Sequence, residues 1–414
     1  MTPQTARPRS AVRPLTTYAG MAMSVASLWL VLPYAPLDYQ KSVLLALFVA
    51  VPMILLDLFV FRVDRNDSSG LAPGFVNALH PHRLLRKLVG LAACMGTIGL
   101  AYWAFPEYAG DFYDPFWAAL RWVLPLFLPA TLVYVVYVDL RQQEPEDVYA
   151  RLGAMLLSGA APPAGLGTLA RTWAVKGFFL PLMFVYLTQD MGFATAAITN
   201  GAPRGFMAWY DLLYRLIFTF DVLFTIIGYT LTVRLLDAHV RSAEPTMFGW
   251  TVCLICYQPF WSLISNQYIR YDDPLYWGGA LAGLPVLQVV WGCAILACVI
   301  VYVWATFCFG LRFSNLTARG VITHGPYRLS KHPAYVAKNL SWWLISVPFI
   351  PSGDWSQALK HCVLLGLLNL VYVLRAITEE RHLAQVEPAY PAYQAWMRDH
   401  GLFAPLARLV RQGR

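Results

Sequence analysis

The chain alternates long apolar runs with short polar segments, and the runs are close to the length that crosses roughly 30 Å of hydrocarbon as a helix. About ten of them can be counted along the 414 residues. They run from Thr16 to Tyr34, Ser42 to Phe61, Leu88 to Phe105, Phe116 to Val138 and Trp173 to Leu187, then from Leu212 to Leu236, Phe248 to Ile264, Leu284 to Phe309, Val336 to Ile350 and Ala358 to Leu374. The fifth and ninth are short enough to be broken or only partly inserted. The pattern predicts an all-α fold, a polytopic transmembrane helical bundle of about ten spans. Three regions follow: a four-span block over 1–140, central spans with an interfacial loop over 141–310, and a C-terminal region over 311–414. The loop, from Glu144 to Arg171, contains Pro162, Pro163 and several glycines, and reads as an amphipathic piece lying at the interface.

Composition sharpens this picture. Hydrophobic residues make up 58% of positions and charged residues 13%, against about 25% charged in soluble domains. The formal charge of +8 could point to nucleic acid, but its Lys and Arg residues sit in short loops with no basic stripe, so no nucleic-acid partner is expected. They read instead as topology determinants and anionic-lipid contacts. Arg62, Arg65, Arg83, Arg86 and Lys87 follow the second run, Arg141, Arg151 and Arg171 the fourth, Arg234 and Arg241 the sixth, and Arg312, Arg319, Arg328 and Lys331 the eighth. The loops between carry Glu107, Asp111 and Asp114, or Asp272 and Asp273. Lys and Arg accumulate on the cytoplasmic side, so both termini and the 312–331 segment are expected there, in the inner membrane if the source is bacterial. Arg7, Arg9 and Arg13 precede a run too long for a signal peptide, which reads as a retained first helix. The seven cysteines all lie in apolar stretches and imply no disulfide framework. Cys253 and Cys256, without a second pair or a His cluster, give no expected metal site.

Two places carry polar chemistry inside this apolar frame. At the start of the sixth run, Asp211 and Arg215 share a helix face and form a structural pair by spacing, while Asp221 lies deeper and is expected to face protein or water. From Asn266 to Asp273 a dense polar cap reads as a loop end. The stronger signal lies between Gly320 and Tyr393, where GVITHGPYRLSKHPAYVAKNLSWW leads into a span and RAITEERHLAQVEPAYPAYQAW leaves the next. Arg375 and Glu379 stand four apart and Glu380 points about 100° away, so one carboxylate can pair with the arginine and the other is free. Taken singly these charges are juxtamembrane anchors. Taken together, the His-Pro turn and the Glu-Glu pair are expected to form two walls of one pocket.

The pattern GPYRLSKHPAYVAKN, then a span, then R-x3-EE-x2-L followed by Tyr390 and Tyr393, resembles the isoprenylcysteine carboxyl methyltransferases and the related phospholipid methyltransferases over roughly the last hundred residues. Lys331 stands where those families place arginine, Ala337 and Lys338 replace an expected glycine, and Glu387-Pro388 replaces a Phe-Gly. The resemblance implies an integral membrane S-adenosyl-L-methionine-dependent methyltransferase acting on a lipid-like or prenylated acceptor embedded in the membrane, with carboxylate O-methylation favoured. It places the cofactor at Tyr327, Lys331, His332, Pro333, Tyr335, Asn339, Glu379 and Glu380. Arg375 and Lys338 would orient the acceptor, and Trp342, Trp343, Tyr390 and Tyr393 would line its groove. Two other classes answer to the same polar pattern: a sterol-type NADPH-dependent C=C reductase, and a transporter or lipid-binding scaffold using Asp211, Arg215 and Asp221.

Overall fold

The computed structural model describes residues 6–31, 37–199, 201, 203–271, 276–351, 353–402 and 404–405, and among them it is an all-α membrane bundle. The helices in chain order are α1 (Pro14–Leu30), α2 (Asp38–Leu55), α3 (Pro81–Ala104), α4 (Asp114–Arg141), α5 (Val148–Ser158), α6 (Leu166–Thr199) and α7 (Phe206–Thr230). After these come α8 (Met247–Leu254), α9 (Phe260–Gln267), α10 (Trp277–Ala280), α11 (Pro285–Cys308), α12 (Pro333–Ser346), α13 (Trp355–Val386) and α14 (Tyr390–His400). Six segments are long and apolar enough to cross a membrane among the described residues: Asp38–Val60, Pro81–Ala104, Asp111–Arg141, Phe206–Thr230, Pro285–Cys308 and Trp355–Val386.

The remaining apolar runs take other forms. The run from Phe248 to Ile264 divides into α8 and α9 around Pro259, whose ring removes a backbone donor. The run opening at Val336 becomes a helix of 14 residues that stops at Val347, which adopts a left-handed conformation with φ 39°. The run beginning at Trp173 lies within α6, which is 34 residues long but carries Lys176 and Asp190. The first run gives α1, and the end of that run at 32–34 lies outside the described residues.

Side chains on the outside are apolar, as lipid requires: Trp103, Val286 and Leu126 are 82%, 78% and 77% exposed. The core lies between α2, α6, α7 and α11, where Phe179, Phe224, Tyr229, Leu223 and Ile295 are buried. The interfacial loop contains α5, capped by Asp147, whose carboxylate accepts from the backbone N–H of Tyr149 and Ala150 at 3.0 Å. Gly153 lets α5 lie against α3, because a Cβ there would come 1.9 Å from the carbonyl oxygen of Arg86.

Two short strands, β1 (Ser242–Ala243) and β2 (Thr317–Ala318), pair antiparallel and join the loop after α7 to the loop after α11. α11 packs along α7 and α12, and α8 packs against α13. α8, α11, α12 and α13 thereby each bring a wall to the same place.

Candidate active site

Pro333 occupies the first turn of α12, where a missing N–H costs nothing, and His332 is the residue at the N-cap. That turn places three side chains toward the last turns of α13. His332 Nε2 lies 3.0 Å from Glu380 Oε1, and Lys331 Nζ lies 2.5 Å from Glu380 Oε2. Gln394, on α14, adds a donor to the same oxygen at 3.2 Å. Tyr335, one turn into α12, stacks on the His332 ring at 5.3 Å and donates its hydroxyl to Glu379 Oε2 at 2.8 Å. Consecutive residues on a helix point about 100° apart. Glu380 is thereby taken up by the turn and the tail helix, while Glu379 faces inward.

Inward is a cavity of about 960 Å³, counting its open mouth, lined by Glu379, Lys331, His332, Tyr327, Tyr335, Lys338 and Arg375 together with residues from α8, α11 and the 313–317 loop. Arg375 is buried, donates to Asn315 Oδ1 at 2.5 Å, and lies over the rings of Tyr335, Tyr257 and Tyr372 at 5.1, 5.5 and 5.9 Å. The i,i+4 pairing of Arg375 with Glu379 is replaced by these contacts, since Tyr335 claims the carboxylate and Asn315 the guanidinium. At the floor, the Lys338 ammonium lies 5.1 Å over Tyr302, whose hydroxyl donates to Asp221 at 2.7 Å. Thr306 donates to the other oxygen of Asp221 at 2.6 Å, so this aspartate faces protein. Arg215, in contrast, rests 4.3 Å over the Phe193 ring.

The other residues singled out in the sequence surround the cavity without lining it. Asn339 accepts from Asn369, which in turn accepts from the Trp343 indole at 2.7 Å, a chain that locks α12 to α13. Trp342 stacks on Trp261 and meets Tyr372 edge-on. Tyr390 and Tyr393 are buried with Val321 and Met397, and Tyr393 donates to the Tyr327 carbonyl at 2.8 Å, so the tail helix clamps the GPY turn. Burial raises the Tyr327 and Tyr393 hydroxyls well above the ordinary phenol range, which keeps both neutral donors. In the polar cap, Asp272 and Asp273 lie outside the described residues.

Several lining residues carry no signal in the sequence. Asn315 sits in a loop, Tyr257 between two short helices, and Glu244 and His382 meet at 3.7 Å from segments far apart. Arg319, buried on the loop before the motif, donates to five carbonyls: Ala238 at 2.7 Å, Gly228 and Phe313 at 2.9 Å, Leu311 at 3.0 Å and Leu231 at 3.2 Å. Burial, and then Arg312 nearby, pull it down to about 9. Gly228 makes this possible, because a Cβ there would come 2.3 Å from the Phe313 carbonyl oxygen.

Residues 311–397 match a family described as a protein of unknown function, DUF1295. The match covers the 313–317 loop, the His-Pro turn, α12, α13 and most of α14. No curated protein and no solved structure matches the chain.

Proposed function

We propose that the protein is an S-adenosyl-L-methionine-dependent methyltransferase whose acceptor is a lipid-like molecule held in the membrane. The observation that carries the reading is the meeting of the His-Pro turn with Glu379 and Glu380 beside a single open cavity, the arrangement that the resemblance to the isoprenylcysteine carboxyl methyltransferases implies. The donor set fits the cofactor's chemistry. A sulfonium is cationic, and Glu379 with the rings of Tyr327, Tyr335 and Tyr257 offers it a carboxylate and aromatic faces. Its amino-acid carboxylate would find the Lys338 ammonium. When bound, this cofactor supplies an activated methyl group.

The remaining work belongs to the chain. Asn315 and three tyrosine rings fix the Arg375 guanidinium, so it is preorganised to hold an acceptor carboxylate in line. A carboxylate acceptor is already anionic and needs no general base, which is why O-methylation is the favoured chemistry. An amine acceptor would need Glu379 to take its proton.

A second reading, an NADPH-dependent C=C reductase, draws on the DUF1295 match, since that family includes steroid 5α-reductase-like as well as methyltransferase-like members. Arg375 and Lys338 would then face the phosphates of a dinucleotide. Thermal melting of purified protein with S-adenosylhomocysteine in one titration and NADPH in another separates the two. Stabilisation by S-adenosylhomocysteine alone, followed by transfer of labelled methyl to a lipid extract, is the expected result; stabilisation by NADPH alone would end the methyltransferase reading.

A further inference from the structure

A second cavity lies on the face that the charge pattern assigns to the cytoplasm, and it is built from four separate parts of the chain. Its volume is about 610 Å³ counting the open mouth, and its walls include Arg9, Arg13, Arg241, Arg312, Asp57 and Asp237. Four guanidinium groups against two carboxylates leave the lining positive. We propose that this cavity is a binding site for a phosphate group, carried either by an anionic lipid head group or by a soluble phosphorylated molecule. The proposal stands apart from the methyltransferase reading, since none of these residues lines the first cavity.

Asp237 Oδ1 is left without a hydrogen-bond donor, 3.5 Å from Arg241 Nη2, and the remaining contacts of the lining charges identify the cations left for a ligand. Asp237 accepts from Asn66 Nδ2 at 2.9 Å, from Ser68 Oγ at 2.7 Å and from Arg312 at 3.0 Å. Arg241 pairs with Glu387 at 2.9 Å, and Asp57 accepts from Thr16 Oγ1 at 2.6 Å. Arg9 and Arg13 form no ion pair among the described residues, and Arg13 only rests 5.7 Å over the Phe61 ring. The buried Nε of Arg241 also lacks a hydrogen-bond acceptor. Three arginines at one cavity thus have donors to spare, and a planar fork with two parallel N–H groups suits phosphate oxygens.

The two free arginines are held in place before any ligand arrives. Ala11 N donates to the Val321 carbonyl at 2.9 Å, Thr323 N donates to Ser10 Oγ at 3.2 Å, and Thr323 Oγ1 donates to the Pro8 carbonyl at 2.8 Å. Backbone on both sides of Arg9 is therefore fixed to the 321–323 strip, which lowers the entropy lost when the site closes on an anion. A basic pocket at the cytoplasmic membrane border is also where anionic head groups concentrate.

The test measures melting of the purified full-length chain in detergent at constant ionic strength, with dioctanoyl phosphatidic acid, dioctanoyl phosphatidylcholine or inorganic phosphate added separately. Phosphatidic acid should raise the melting temperature, and the Arg9→Gln/Arg13→Gln pair should weaken the apparent affinity by roughly tenfold or more while leaving the unliganded melt in place. The Arg9→Lys/Arg13→Lys pair should keep part of the response, because charge is retained and only the fork is lost. A rise with phosphatidic acid but not with inorganic phosphate identifies a lipid source; a rise with both identifies the phosphate group as sufficient. No rise with either, an equal rise with phosphatidylcholine, or a response that survives the glutamine pair overturns the proposal.

Discussion

Tyr335 and Glu379 reach each other at 2.8 Å from two different helices, and the bond is made at the wall of the cavity. The bond joins α12 to α13 and aims the Glu379 carboxylate at the space between them. Glu379→Gln keeps the shape and removes the charge that faces the sulfonium, so affinity for S-adenosyl-L-methionine should fall by about tenfold, the effect of roughly 1.4 kcal/mol. Tyr335→Phe frees the carboxylate without removing it and should fall by less. Calorimetric titration of the two variants decides this; equal affinity in Glu379→Gln and wild type would remove Glu379 from the site.

Its neighbour Glu380 predicts a different outcome. Lys331, His332 and Gln394 all converge on this carboxylate, and it does not line the cavity. Glu380→Gln should therefore lower stability by about 1–3 kcal/mol through lost charge-assisted bonds, with a smaller effect on cofactor affinity than Glu379→Gln. The pair of variants, melted and titrated side by side, tests that division of labour.

Arg319 carries a buried charge with carbonyl dipoles as its hydrogen-bond acceptors. Arg319→Met leaves several buried carbonyls without a donor, and a loss of stability on the order of 3–5 kcal/mol is expected. Lysine cannot span the same five acceptors from one point charge, so Arg319→Lys should also unfold at lower temperature.

Acid should loosen the loops that frame the second cavity. Burial lowers His324 to about 4 and His239 to about 3, with Arg7 and Arg234 adding to the respective shifts. Both rings are neutral in the folded chain, whereas in the unfolded chain each takes a proton near 6.5. Below that value the unfolded state binds more protons, so stability is complete above pH 6.5 and is lost as pH falls toward the folded values. Melting temperatures at about pH 7.5 and about pH 5 should show the drop, and His324→Gln should make it smaller.

Close helix contact gives a last expectation. Gly153→Ala would drive a methyl group into the Arg86 carbonyl, and since both partners are helix backbone neither can yield without moving α5 from α3. A clear fall in melting temperature is expected, while S-adenosylhomocysteine affinity in the surviving folded protein should be unchanged.

How much of this could be read from residues alone depends on chain distance. The His-Pro turn and the Glu-Glu pair lie within 49 residues, on helices that adjoin, so a local motif suffices to place them together. Apolar run length located the long helices for the same reason, since it is a property of contiguous chain. Asn315, Tyr257 and Glu244 could not be seen in this way, because each enters the cavity through contacts made by distant segments. The Arg375–Glu379 spacing allowed a pair, yet Asn315 and Tyr335 offered each partner something better. Residues at the ends of the aromatic motif, Tyr390 and Tyr393, turned out to be buried fasteners of the Tyr327 turn.

The separation between Arg319 and its acceptors also bears on how the chain is made. Gly228 precedes Arg319 by 91 residues, and Ser10 precedes its partner His324 by 314. During synthesis the carbonyls at the end of α7 must wait, hydrated, while α8 through α11 emerge and insert. Only then does the guanidinium arrive to replace that water, and only later still can the opening segment be fastened down. Ribosome stalling before residue 319 should accordingly leave the α7 end accessible to protease, in a chain whose first helices are already in the bilayer.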